Sequence, residues 1–270
     1  MAKGSRGGQR AGGTLSGGAS LQQQQTPQQQ QQVQVDDTQQ SSDFGLDYIK
    51  FMALSDDEKA DVIADAVLMD VPAHLAQNDF QRFIYNTGLN DKPDVVSDAT
   101  LDSMKGEDLF RTVNGVYDKN NDINYNADQI VKQVQAGRVT RTDGSASVLG
   151  KGLYFAGKTS STSAYYESTQ YYGKTRGNIK QTAVMRAKLN SNAKIIDHLA
   201  VGGGVQSEIN RGTRLGKVLK DCDSASRKSI YAMCKGYNVI KDGNYFNVLN
   251  RNAMTMSSDI KEWSKSGKWK

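Results

Sequence analysis

Hydrophobic positions are sparse and without period through residues 1–42, where a Gly/Ser/Arg-rich start passes into glutamine runs at 22–25 and 28–32. Such sequence buries too little apolar surface to offset the entropy of ordering it, so it predicts a disordered tail or tether. The alternative is a tail that orders against a neighbouring subunit of a large assembly. Apolar residues set in at Phe44. Ser55 and Glu58 predict a capping box, and Val62, Ile63, Ala66, Val67 and Met69 then recur at helical spacing until Pro72 stops the helix. A further helix is predicted over 75–86, with Phe80, Phe83 and Ile84 inward and Gly88 as its stop. Residues 43–105 read as a helical lead-in domain.

From Asp108 the pattern changes to short apolar runs punctuated by Gly and Asn. Strands are predicted at 109–113, 152–156, 182–189, 194–196, 238–240 and 245–249. Between them helical periodicity predicts helices at 127–136, 163–172, 207–219 and 224–235, the last capped by Asp223 and stopped by Gly236. Asp242-Gly243 reads as a primed hairpin turn. Strands and helices in so irregular an order predict an α+β fold rather than a parallel doubly wound sheet.

The composition narrows the chemistry. Four Cys/His residues, His74, His198, Cys222 and Cys234, stand among 270, with no pair at metal-binding spacing, so no zinc site and no disulfide framework is expected. No apolar run reaches the ~18 residues that span a bilayer, and residues 1–20 have no apolar signal core, which predicts a protein made in the cytoplasm and not bound to membrane. The net charge of +5 gathers at the ends: Lys3, Arg6 and Arg10, then Lys261, Lys265, Lys268 and Lys270. Flexible basic ends serve solubility more often than nucleic-acid binding.

The most informative stretch is Gly150-Lys151-Gly152-Leu153-Tyr154-Phe155-Ala156, followed by Ser160-Ser161-Thr162-Ser163-Ala164-Tyr165-Tyr166. Glycines admit close backbone approach to a ligand, and an aromatic on the adjoining strand offers a face for a planar ring. By itself Gly-x-Gly beside a Tyr-Phe strand is as readily a tight turn into a core strand. The whole run, however, resembles the signature of the ADP-ribosyltransferases, including the poly-ADP-ribose polymerase branch. The resemblance implies a helical lead-in followed by a split β-sheet domain over 106–256, with flanking helices and a basic tail at 257–270. It implies NAD as cofactor, with Gly150, Gly152 and Tyr154 at the nicotinamide and Ser161 and Ser163 near the ribose.

Upstream, Leu109-Phe110-Arg111 resembles the first core strand of the toxin-like branch, where an arginine supports the NAD phosphates. A guanidinium is a fixed bidentate partner for pyrophosphate at any working pH. The polymerase branch has a histidine on that strand, and neither His74 nor His198 falls there. The family's catalytic glutamate on the last core strand would fall at Asn244 or Tyr245, and neither is an acid. Glu208 is then the candidate catalytic carboxylate, with Glu167 and Asp242 as others.

The Gly-Arg-rich start, the helical lead-in and the Gly236-Tyr237-Asn238-Val239-Ile240 to Val248-Leu249-Asn250-Arg251 ending resemble ADP-ribosyltransferase-like proteins of bacteriophage structural modules. Two readings stay open. One is a virion-associated, catalytically degenerate NAD-binding module that meets phage structural proteins through its tail. The other is an active mono-ADP-ribosyltransferase that modifies a host protein or nucleic acid. Either places it in the virion or the host bacterial cytoplasm. A hydrolase built on Asp197-His198 is disfavoured, because strand neighbours point to opposite sides. Gly202-Gly203-Gly204 lacks the Lys-Ser/Thr of a phosphate loop and reads as a flexible loop over the cleft. Cys222 and Cys234 read as apolar fillers, and Trp263 and Trp269 as cover for apolar surface or a partner anchor.

Overall fold

The structure, a computed structural model, describes residues 47–71, 78–89, 91–116, 127–138, 148–157 and 179–260. The tail 1–42, the helix predicted over 163–172 and the last ten residues lie outside them.

Local chemistry sets the first helices. α1 (Tyr48–Ala53) starts at an Asp47 cap, whose carboxylate accepts from Lys50 N. At the head of α2 (Asp56–Leu68) both bonds of the capping box are present: Ser55 Oγ accepts from Glu58 N at 3.3 Å, and Glu58 Oε2 from Ser55 N at 2.8 Å. α3 (Asp79–Thr87) begins at Asn78 and is closed by Gly88 in the left-handed region at φ 72°. There follow β1 (Asp94–Val96), α4 (Asp98–Ser103), β2 (Asp108–Val116), α5 (Ala127–Gln135), β3 (Leu153–Ala156), β4 (Ile179–Leu189) and β5 (Ile195–Asp197). α6 (His198–Arg211), α7 (Arg214–Asp221) and α8 (Ser224–Cys234) precede the β6 (Val239–Asp242) and β7 (Tyr245–Val248) hairpin, and β8 (Met254–Ser257) is the last strand described. The α+β class stands as expected.

The strands form one mixed sheet in the order β1-β8-β4-β2-β3-β7-β6-β5. β1 with β8 and β5 with β6 are parallel, and the other pairs are antiparallel. The expected split sheet needs correcting: the hydrogen-bonded order is continuous. It narrows in the middle, because β2 and β3 share a single pair among the described residues, Phe110 opposite Ala156.

Two apolar cores lie on opposite faces. One gathers Leu109, Val113, Leu153, Phe155, Met185, Phe246 and Val248 under α5. The other joins Phe51, Ile63, Phe80 and Phe83 of the lead-in helices to Val201, Leu219, Ile230 and Met233 of α6 to α8. The lead-in therefore shares its core with the rest, and all the described residues belong to one compact unit. The amino ends of α3 and α8 also cap each other: Asp79 N donates to Asp223 Oδ2 at 3.2 Å, and Asp223 N to Asp79 Oδ2 at 2.6 Å.

Two further expectations change. The helix predicted over 207–219 is two helices, because Gly212, at φ 65°, ends α6 and Thr213 caps α7. Gly202-Gly203-Gly204 lies inside α6, not in a loop. A Cβ on Gly204 would overlap the Tyr231 hydroxyl, so glycine lets α6 and α8 pack closely.

Candidate functional site

Where a β-ladder stops, its backbone groups need other partners. At the seam between β2 and β3, Arg111 supplies one: its Nη1 donates to the Tyr154 carbonyl at 2.8 Å. Two residues singled out in the sequence are thereby brought together, through a guanidinium and a backbone oxygen.

The turn that leads into β3 is held by side chains from three elements. The Tyr154 hydroxyl folds back to donate to Gly150 O at 2.5 Å, and Ser229 Oγ of α8 donates to Lys151 O. Asn247 of β7, fully buried, donates its amide to Leu149 O at 3.1 Å and Lys151 O at 3.0 Å. Gly150 and Gly152 have φ of 98° and 149°, which favour glycine. A Cβ at Gly150 would come to 2.5 Å from Ser229 Oγ, and one at Gly152 would overlap Asn247 Oδ1. The close approach that these glycines promise is made to Ser229 and Asn247 of the same chain.

Strand alternation decides which side chains share a face. Leu109 and Val113 of β2 and Leu153 and Phe155 of β3 belong to the core under α5, whereas Tyr154 packs against the core of α6 to α8. Arg111 and Tyr154 therefore leave the sheet on opposite faces. Thr112, two residues on from Phe110, lies by alternation on the Tyr154 face of the sheet. On the other flank Asn247 stands opposite Tyr154 in register. Thr112 Oγ1 and Asn247 Oδ1 are both buried without a hydrogen-bond partner.

Glu208 lies on α6 with its side chain 8% exposed. Its carboxylate accepts from Thr213 Oγ1 at 2.7 Å and pairs with Arg211 Nη2 at 2.9 Å and Lys235 Nζ at 3.2 Å. Burial works against its charge, but the bonds from Thr213 and Lys235 and the charges of Lys235 and Arg211 outweigh it and hold the carboxyl below its ordinary value. Thr213, the cap of α7, and Lys235, at the end of α8, tie α6 to the helices beside it, while Arg211 pairs with Glu208 within α6. Asn244 and Tyr245 are exposed at the hairpin, where Asp242 and Tyr245 pair across Gly243-Asn244, one residue beyond the turn expected from sequence. Asp242 Oδ1 lies 3.6 Å from His198 Nδ1. Asp197 accepts from Leu199 N at 2.8 Å as the cap of α6, so its carboxylate is engaged away from any base role.

Cys222 and Cys234 are buried free thiols, each pushed up to about 12 chiefly by burial, which keeps them protonated and unreactive. Among the described residues no His/Cys/Asp/Glu group could hold a metal ion, and no helix is long and apolar enough to cross a membrane. Ser161, Ser163 and Glu167 lie outside the described residues. Sequence reasoning missed Thr112, Asn247 and Ser229. Only Asn247 carried a signal, as a lone amide within an apolar strand. Comparison with protein-family models, with curated proteins and with solved structures finds no match.

Proposed function

We propose that the chain is a bacteriophage virion-associated protein whose α+β part is an ADP-ribosyltransferase-like, NAD-binding domain without a working catalytic carboxylate. The carrying observation is the pair of strands beside Tyr154. On one, Arg111 is fixed by its 2.8 Å bond to the Tyr154 carbonyl; on the other, Asn247 stands opposite Tyr154. Arg111 retains its charge at any working pH. Its side chain leaves the sheet on the face opposite Tyr154, but its guanidinium reaches the Tyr154 carbonyl at the seam, where a pyrophosphate crossing the strand edge would meet it. Asn247 is neutral, and β7 has no acidic residue from Tyr245 to Val248. Preorganised charge beside a developing oxocarbenium ion is worth several kcal/mol, so a ligand held here keeps its nicotinamide bond. Glu208, committed to Thr213, Arg211 and Lys235, is a poor substitute. The virion placement rests on the Gly/Arg-rich start, the glutamine tracts and the helical lead-in, and NAD on the motif around Tyr154.

Calorimetric titration of NAD into the full chain, followed by chromatography for free nicotinamide, tests the proposal. Binding without release is expected. Affinity should fall ~10-fold or more, over about 1.4 kcal/mol, in Arg111→Lys, which keeps the charge but loses the planar fork. No heat of binding would sink the NAD reading. Nicotinamide release abolished by Tyr154→Ala would replace it with the active transferase.

A further inference from the structure

Both tryptophans of the sequence, Trp263 and Trp269, fall within residues 261–270, beyond the described residues and among Lys261, Lys265, Lys268 and Lys270. A segment that only adds charge gains nothing from indoles, whose large apolar faces seek cover. The described residues show where this segment sets out. β8 ends at Ser257, and Ser258 N donates to Val96 O at 2.7 Å, so the chain passes the end of β1. Two residues on, Ile260 packs against the core under α5, which places the departing chain on the α5 face of the sheet.

An apolar side chain stands uncovered there. β1 is the last strand in the sheet order, so among the described residues one of its edges pairs with no strand. Val95 is level with Met256 in the parallel β1–β8 pair, and the pleat puts both on the α5 face. Met256 is fully buried in that core, whereas Val95 is 38% exposed. An open strand edge beside an exposed valine is a template for another chain unless something covers it.

Reach and charge both favour residues 261–270 as that cover. Neighbouring strands lie ~4.8 Å apart and three extended residues span ~10 Å, so Trp263 reaches β1 from Ile260. Side chains of residues 91–108, from β1 to the start of β2, comprise six acids against two lysines, a net charge of −4. Those of 261–270 comprise four lysines against Glu262, a net charge of +3. Arg186 and Lys188 of β4 take up Asp98, Asp102 and Asp108, while Asp94, on β1 itself, is exposed. Opposite charges this close attract within the ~10 Å screening length of ~0.1 M salt.

We infer that residues 261–270 dock on the open edge of β1, with Trp263 packed against Val95, and so close the α5-side core and keep this edge from pairing with other chains. The inference is independent of the NAD reading. It gives the two tryptophans and the lysines around them one task, apolar cover held in place by charge.

Because both tryptophans lie in this segment, indole fluorescence of the full chain reports on it alone. In a Trp269→Phe chain excited beyond the tyrosine band, Trp263 should emit at shorter wavelength than in the urea-unfolded chain and be quenched several-fold less by acrylamide. Val95→Lys sets a like charge beside the lysines at an exposed edge position. It should return emission and quenching most of the way to the unfolded values, with the circular dichroism of the parent retained. Should Val95→Lys lose that spectrum, Val95→Ser replaces it with the same expected shift. Emission of a solvent-exposed indole in the Trp269→Phe chain would overturn the inference. A shielded indole unmoved by the Val95 substitution would overturn it too, since Trp263 would then pack elsewhere. Shielding that fades on dilution, together with a falling sedimentation coefficient, would assign the cover to a second copy of the chain and equally overturn it.

Discussion

Gly152→Ala tests whether the turn before β3 is built around Asn247. Two costs add. The first is backbone strain: at φ 149° a residue with a Cβ sits where glycine alone is comfortable, at roughly 1–3 kcal/mol. The second is displacement, since the new Cβ overlaps Asn247 Oδ1 and lies 3.0 Å from its Cγ, with Val248 O at 3.1 Å behind. The backbone oxygen cannot yield, so the amide must, and its bonds to Leu149 O and Lys151 O, at 3.1 and 3.0 Å, weaken together. Each buried bond lost costs about 1 kcal/mol or more. The expected loss is about 3–5 kcal/mol, a large share of the ~5–15 kcal/mol that holds a typical domain. Urea unfolding followed by circular dichroism measures it. Combining Gly152→Ala with Asn247→Ala removes the obstruction, so the double variant should fall short of the summed losses by about 1–3 kcal/mol. A Gly152→Ala chain within ~1 kcal/mol of the parent, or strictly additive losses, would refute the reasoning.

Further outcomes follow from the same structure. Gly204→Ala should lower stability by about 1–3 kcal/mol despite alanine's better helix propensity, because its Cβ meets the Tyr231 hydroxyl and ring; combined with Tyr231→Ala, which removes both, the losses should fall short of additive. Glu208→Gln should cost about 2–3 kcal/mol near neutral pH by weakening charge-assisted bonds. Because the folded Glu208 carboxyl is held below its ordinary value, its stabilisation is present above the unfolded pKa near ~4.3 and is lost as pH falls through the lowered folded one. Melting temperatures of parent and variant should therefore converge in acid, and a constant gap down to ~pH 2 would contradict this assignment. Cys222 and Cys234, pushed up to about 12, should resist a thiol reagent at pH 8 in the native chain and both react in urea.

The strand and turn at residues 150–156 appear where expected, and Arg111 and Tyr154 meet. The roles of the glycines were not legible, because a positive φ at Gly152 is equally needed beside a ligand or beside Asn247, and only the neighbour distinguishes them. Glu208 shows the same limit. A glutamate on a helix carries no mark of whether it faces a cleft or a lysine, and Lys235, 27 residues later, decided it.

By itself the sequence determined the local elements. Ser55 with Glu58, Gly88, Asp223 and Gly236 mark helix ends, because caps and left-handed stops depend on residues within a turn of one another. Alternation likewise announced the strands of the sheet centre. The tertiary structure alone decided which strands adjoin and which face each residue takes. β1 is three residues long and β8 four, too short for a clear period, and they pair with each other although the other six strands lie between them in sequence. Alternation separates odd from even positions along a strand but does not tie either set to a layer of helices. That choice, made by long-range packing, put Arg111 on one face of the sheet and Thr112 with Tyr154 on the other.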